Sequence, residues 1–233
     1  FQPALLGGVD AFVSQINPNN NTLEYSTYLG GAKDDQGAAI AVDRAGNIYI
    51  TGFTASTNFP VTGSSFASTM GGQRSGFVAK IDPTQPDRKS LVYSAYLGGR
   101  GTDSGAAIAV DSQYYAYVTG TTTSSDFPVT SNVIQNKYAG NGDAFVTRIY
   151  PTGTALAYST YLGGSGADSG TGIVVTENSG NIYTYLTGAT ASTNFPVTLG
   201  AFDRDPGSGR TSRAFVAQIS EQGDQLLYAT HLG

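Results

Sequence analysis

The 233-residue chain holds no cysteine, 12 lysines and arginines against 17 aspartates and glutamates, and a formal charge of −5 with a pI near 4.6. Without cysteine there is no disulfide, no thiolate-bound zinc and no thiol nucleophile. An acidic surface repels phosphate backbones and argues against nucleic acid, and no apolar run approaches the roughly 20 residues of a membrane-spanning helix.

Charged residues make up 12% of the chain, roughly half the usual share, while 31 Gly, 15 Tyr and 11 Phe stand out. Aromatic and branched side chains pack on pleated surfaces and Gly and Asn serve turns, so the composition points to β-structure. The first predicted strands are "DAFVSQI" (10–16) and "YSTYLGG" (25–31). There follow "GAAIAVD" (37–43), "NIYITGFTASTNFPVT" (47–62), "GFVAKI" (76–81) and "YSAYLGG" (93–99).

That order of four runs, named a to d, returns twice. "GAAIAVD" (105–111), "YAYVTGTTTSSDFPVT" (115–130), "DAFVTRI" (143–149) and "YSTYLGG" (158–164) form the second unit. "GTGIVVT" (170–176), "NIYTYLTGATASTNFPVT" (181–198), "AFVAQI" (214–219) and "YATHLG" (228–233) form the third. Four short strands at a fixed period predict an all-β fold, a β-propeller of four-stranded blades. A solenoid is the rival, but its coils need only about 20–30 residues. The predicted units are a half blade of strands c and d (1–31) and three blades at 32–99, 100–164 and 165–233, in one propeller arc over 1–233.

Side-chain alternation agrees with blades packed on both faces. In strand a, Ile40 and Val42 point one way and Ala39 and Ala41 the other. In strand d, Tyr25 and Tyr28 lie on opposite faces, so a sandwiched blade buries a ring on each side. Three and a half blades do not close a ring. The first residue is Phe, and no signal-peptide pattern opens the chain. The expectation is a segment of a longer polypeptide, or a protomer completed by other chains, with an a–b hairpin joining the opening c–d pair.

These runs, with "DRAGNIYITGFTASTNFPVT" and "DAFVTRI", resemble the SBBP family of bacterial and archaeal β-propeller repeats. The resemblance implies a propeller in large secreted or surface proteins, and it brings no catalytic residues. Two turns depart from the pattern: "DRAGN" (43–47) becomes "DSQYY" (111–115), and the last unit carries "TENSGN" (176–181).

Candidate sites lie on the face of the d–a and b–c connections, where loops of around 20 residues are more often functional than incidental. Asp35, Asp103 and Asp168 recur there, with Asp34 beside the first, as candidate Ca²⁺ ligands. Their ordinary role is to accept backbone hydrogen bonds in Gly-rich turns, and no other cofactor is indicated. Phe59, Phe127, Phe195 and Tyr138 are candidate binding residues of the loop face, though the three phenylalanines, each before a proline, also suit pins holding each loop to its blade. His231, the single histidine, replaces the tyrosine of the other copies and is expected to be partly exposed. Arg74, Arg88, Lys89, Arg204, Arg210 and Arg213 gather near the b–c loops and one c–d turn.

The leading expectation is a non-enzymatic structural or interaction segment of a secreted or cell-surface protein, part of a larger assembly or fibre. Its partners are then other protein chains or the rest of its own polypeptide. The alternatives are a propeller binding a glycan or other ligand through the long loops, and a propeller lyase or hydrolase, for which no convergent acids are found.

Overall fold

The computed structural model describes residues 1–205 and 212–233. Strands β1 (Ala11–Asn17) and β2 (Thr22–Leu29) pair as a two-stranded sheet. The first complete blade is β3 (Asp35–Val42), β4 (Ile48–Thr54), β5 (Ser75–Ile81) and β6 (Leu91–Leu97), in that order across the sheet. The second is β7 (Asp103–Val110), β8 (Ala116–Thr122), β9 (Asp143–Ile149) and β10 (Leu156–Leu162). The third is β11 (Asp168–Asn178), β12 (Asn181–Thr190), β13 (Arg213–Ile219) and β14 (Leu226–Leu232). All pairings of named strands are antiparallel, and the described sheets do not close into a ring.

Strand a begins earlier than its apolar run suggests, because a bulge lets the polar start join the ladder. The register shifts between Gly37 and Ala39, Gly105 and Ala107, and Gly170 and Gly172. A Cβ on the strand-b glycine opposite, Gly52, would lie 1.9 Å from the Gln36 carbonyl oxygen. Close approach of two backbones dictates that glycine.

The second blade packs its strand-a isoleucine backward and its small strand-a residues forward. Ile108 is buried with Tyr49, Val78 and Tyr93 of the first blade, while Ala107 and Ala109 pack with the third blade's cluster around Ile173 and Phe215. Strands β5 and β9 are buried along their whole length, which places the core between blades as well as within them. At about 25 cal/mol per Å² of apolar surface, these contacts supply most of the driving force that holds the arc together.

The altered turn of the second blade keeps the same hydrogen bonds. Gly46 at φ +86° donates to the Asp43 carbonyl at 3.0 Å, and Tyr114 at φ +69° donates to the Asp111 carbonyl at 3.1 Å. A left-handed tyrosine is strained. It is held from the first blade, where Arg44 donates through Nη2 to the Ser112 carbonyl at 2.7 Å and stacks its guanidinium 5.3 Å from the Tyr114 ring.

Candidate functional site

The recurring aspartates are the first residues of β3, β7 and β11, and all three are buried. Asp35 accepts hydrogen bonds from Gly31 N at 2.6 Å and Ser56 Oγ at 2.8 Å. Asp103 does so from Gly99 N and Ser124 Oγ, both at 2.9 Å, and Asp168 from Gly164 N and Ser192 Oγ, both at 2.7 Å. Each therefore ties the d–a connection to the start of its own b–c loop. Burial raises the Asp103 carboxyl above its ordinary range, against the lowering effect of these donors. Asp34 is exposed, and among the described residues no three His, Asp or Glu side chains form a metal-ligating group.

A second set of buried aspartates was not singled out from the sequence. Asp143 accepts from Gln135 Nε2 at 3.0 Å and Ala139 N at 2.8 Å, and Asp10 from Gln2 Nε2 and Leu6 N, both at 2.9 Å. The signal was present: "FQPALLGGVDAF" and "IQNKYAGNGDAF" both place Gln eight residues before Asp. Burial first, then the like charge of Asp168, pushes the Asp143 carboxyl up to about 6.

Phe59, Phe127 and Phe195 lie in the interior. Their rings sit 4.7, 4.6 and 4.5 Å from Phe77, Phe145 and Phe215 of strand c, so each pins its long loop onto its own blade. Tyr138 is half-buried, 5.9 Å from the Tyr161 ring, and its hydroxyl accepts from Gly142 N at 2.6 Å. His231 is buried rather than partly exposed, 5.9 Å from Phe195, because the tail of the long loop covers strand d. The arginines do not form one patch: Arg74 stacks 3.4 Å over Phe53, Arg213 pairs with Asp203, and Arg88, Lys89 and Arg204 are exposed. Arg210 lies outside the described residues.

The surface that departs most from the repeat is the two-stranded sheet. Phe12 faces Tyr28 in the register that pairs Phe77 with Tyr96, Phe145 with Tyr161 and Phe215 with His231. Those three pairs are buried, whereas Phe12 is 71% exposed and Tyr28 38%. On the neighbouring strand Ile40 is 58% exposed, although its counterparts Ile108 and Ile173 are buried. Gln2, Pro3, Phe12, Ser26, Thr27 and Tyr28 line an open groove of about 450 Å³ on this sheet. Contiguous exposed apolar surface of this kind marks interaction sites.

Residues 24–60 and 92–128 match the family model of a β-propeller repeat, SBBP. Those two stretches are SBBP-type repeats. Each matched window runs from strand d of one unit through a and b to the Phe–Pro of the long loop, so the SBBP unit straddles the boundary between blades. The match supports a propeller interaction domain. No curated protein matches the chain. No helix among the described residues is long and apolar enough to cross a membrane.

Proposed function

We propose that this propeller arc is a non-enzymatic interaction module of a secreted or cell-surface protein, whose partner is protein and which works within a larger extracellular assembly. The observation that carries the reading is the exposure of Phe12 and Tyr28 on a sheet whose three repeats bury the same pair. Exposed rings beside unpaired strand edges are a template for another polypeptide. The low charge and Tyr-rich composition agree with an extracellular setting.

A glycan-binding loop face draws less support. Its candidate rings Phe59, Phe127 and Phe195 are withdrawn into the blades, and the Tyr138 hydroxyl is already engaged.

The test is a photo-crosslinking amino acid placed at Phe12 in the native host, with surface proteolysis of intact cells alongside. Crosslinks to protein and protease accessibility at the cell surface are expected. Saturable binding to a glycan array with no protein crosslink would replace this reading with the lectin alternative.

A further inference from the structure

We infer that Asp143 and Asp168 form a buried Ca²⁺ site at the junction of the second and third complete blades, and that Asp10 and Asp35 form its counterpart between the two-stranded sheet and the first. The recurring aspartates Asp35, Asp103 and Asp168 supply one carboxylate per blade, too few for a cation that takes six to eight oxygens. At two of the three junctions the fold sets a second buried carboxylate beside the first.

Asp143 opens β9, strand c of the second blade, and Asp168 opens β11, strand a of the third. The backbone fixes them side by side, because the Gly142 carbonyl accepts from Asp168 N at 2.8 Å. A Cβ on Gly163, in the connection between the two blades, would lie 2.7 Å from Asp168 Oδ2 and 2.9 Å from Asp143 Oδ1. Both carboxylates therefore flank one point. The two side chains, 0% and 2% exposed, divide their oxygens alike. Oδ2 is taken in each, by Gln135 Nε2 and Ala139 N in Asp143 and by Gly164 N and Ser192 Oγ in Asp168. Oδ1 of each is buried and has no hydrogen-bond partner among the described residues.

The first junction repeats this arrangement. The Val9 carbonyl accepts from Asp35 N at 2.6 Å, and Asp10 and Asp35 line the same cavity. Oδ2 of Asp10 accepts from Gln2 Nε2 and Leu6 N, and Oδ2 of Asp35 from Gly31 N and Ser56 Oγ. Both Oδ1 atoms are again buried and unpartnered among the described residues. The middle junction breaks the pattern. Ser75 stands at the strand-c position, and both oxygens of Asp103 are satisfied, Oδ2 by Gly99 N and Ser124 Oγ and Oδ1 by the Thr122 hydroxyl. Free carboxylate oxygens occur at the junctions that hold two acids and not at the one that holds a single acid.

A buried carboxylate oxygen without a partner is costly, and two carboxylates side by side also repel. A divalent cation offsets both costs. The donors are all oxygen, which suits Ca²⁺ rather than zinc or copper with their imidazole and thiolate ligands. Mg²⁺ fits less well, since it demands a near-ideal octahedron and gives up its waters reluctantly. The Gly142 and Val9 carbonyls add an oxygen beside each pair, and water completes the set. Each pair takes one acid from either side of a junction, so the cation joins neighbouring sheets. Without it, burial and then the like charge of Asp168 hold a proton on Asp143, and cation and proton compete for the site.

The test is equilibrium dialysis of the full chain, first stripped with a chelator, against millimolar CaCl₂ at neutral pH. Bound calcium is counted by elemental analysis, with Tm read alongside and circular dichroism confirming that each variant is folded. Two Ca²⁺ per chain are expected, with a Tm above that of the stripped chain. Asp143→Asn, which keeps an oxygen for Gln135 and Ala139, is expected to bind one, and the double variant Asp10→Asn with Asp143→Asn none. If Asp143→Asn does not fold, Asp168→Asn carries the same expectation. Asp224→Asn, at an exposed acid in the turn between β13 and β14, is expected to bind two. A parent chain that binds no Ca²⁺ overturns the inference and leaves the pair its proton alone. Equal binding by the parent and the folded variant at Asp143 or Asp168 overturns it as well.

Discussion

Arg148 Nη1 lies 3.5 Å from Glu221 Oε1, an ion pair that crosses from strand β9 of the second complete blade to the turn before β14 of the third. The same guanidinium reaches Asp111 Oδ2 at 3.4 Å within its own blade and stacks 4.0 Å over the Tyr115 ring. Its side chain is nearly buried, so removing it leaves the buried Asp111 carboxylate without its cation, held only by Gln113 N, Tyr115 N and the Tyr117 hydroxyl. Arg148→Ala is expected to cost about 3–5 kcal/mol in chemical denaturation. Lys at this position recovers only part, because it lacks the planar fork that serves two acceptors and a ring. A loss below 1 kcal/mol would remove the guanidinium from the forces joining these blades.

The phenylalanine pairs give an internal control. Phe127 is buried against Phe145, and Phe127→Ala is expected to cost about 3–5 kcal/mol through lost contact and the cavity left behind. Phe12→Ala, at the same strand-c position as Phe145 but exposed, is expected to stay within about 0.5 kcal/mol of the parent. Equal costs would mean that Phe12 is buried in solution.

Asp143 makes stability depend on pH in an unusual direction. Its carboxyl moves from an ordinary 3.8 to about 6 in the folded chain, chiefly through burial. Between those values the folded state holds a proton that the unfolded state releases. Its contribution is therefore fully present below about 4 and is lost as pH rises through about 6, by at most roughly 3 kcal/mol. Other aspartates, such as Asp43, are lowered and act oppositely, so the readout is the difference from Asp143→Asn. The Asn chain is expected to gain on the parent as pH rises from 4 to 7. A difference that does not vary with pH would contradict the assignment.

His231 departs from the tyrosines at equivalent positions, and its buried Nε2 has no hydrogen-bond partner among the described residues. Tyr96 and Tyr161 place a hydroxyl there that reaches the loop carbonyl. His231→Tyr is expected to stabilise by about 1 kcal/mol, a rise of roughly 2–4 °C in Tm. A lower Tm would show that the histidine is fitted to its own loop.

The blades were legible in the sequence because each strand carries an apolar pattern that repeats in phase. Strand a was read two residues short, since Asp35 and Gln36 are polar and join the ladder only through the bulge near Gly37. The burial of His231 was not legible for a related reason. The loop tails that cover strand d bond through backbone carbonyls of Ala67, Gln135 and Asp203, and the opening residues through that of Gln2, so no one side-chain type marks all four positions. Backbone contacts tolerate any side chain, so they leave little trace in sequence. The roles of Gln2 and Asp10 became visible only when the opening residues were seen to follow the path of a long loop's end.

Hydrogen exchange on the full chain tests the central claim, that Phe12 and Tyr28 stand on an open two-stranded sheet, most directly. The amides of β1 are expected to exchange much faster than those of β5, which has a strand on each side. Exchange at β1 as slow as at β5 would contradict the claim that the β1–β2 sheet is an exposed interaction surface.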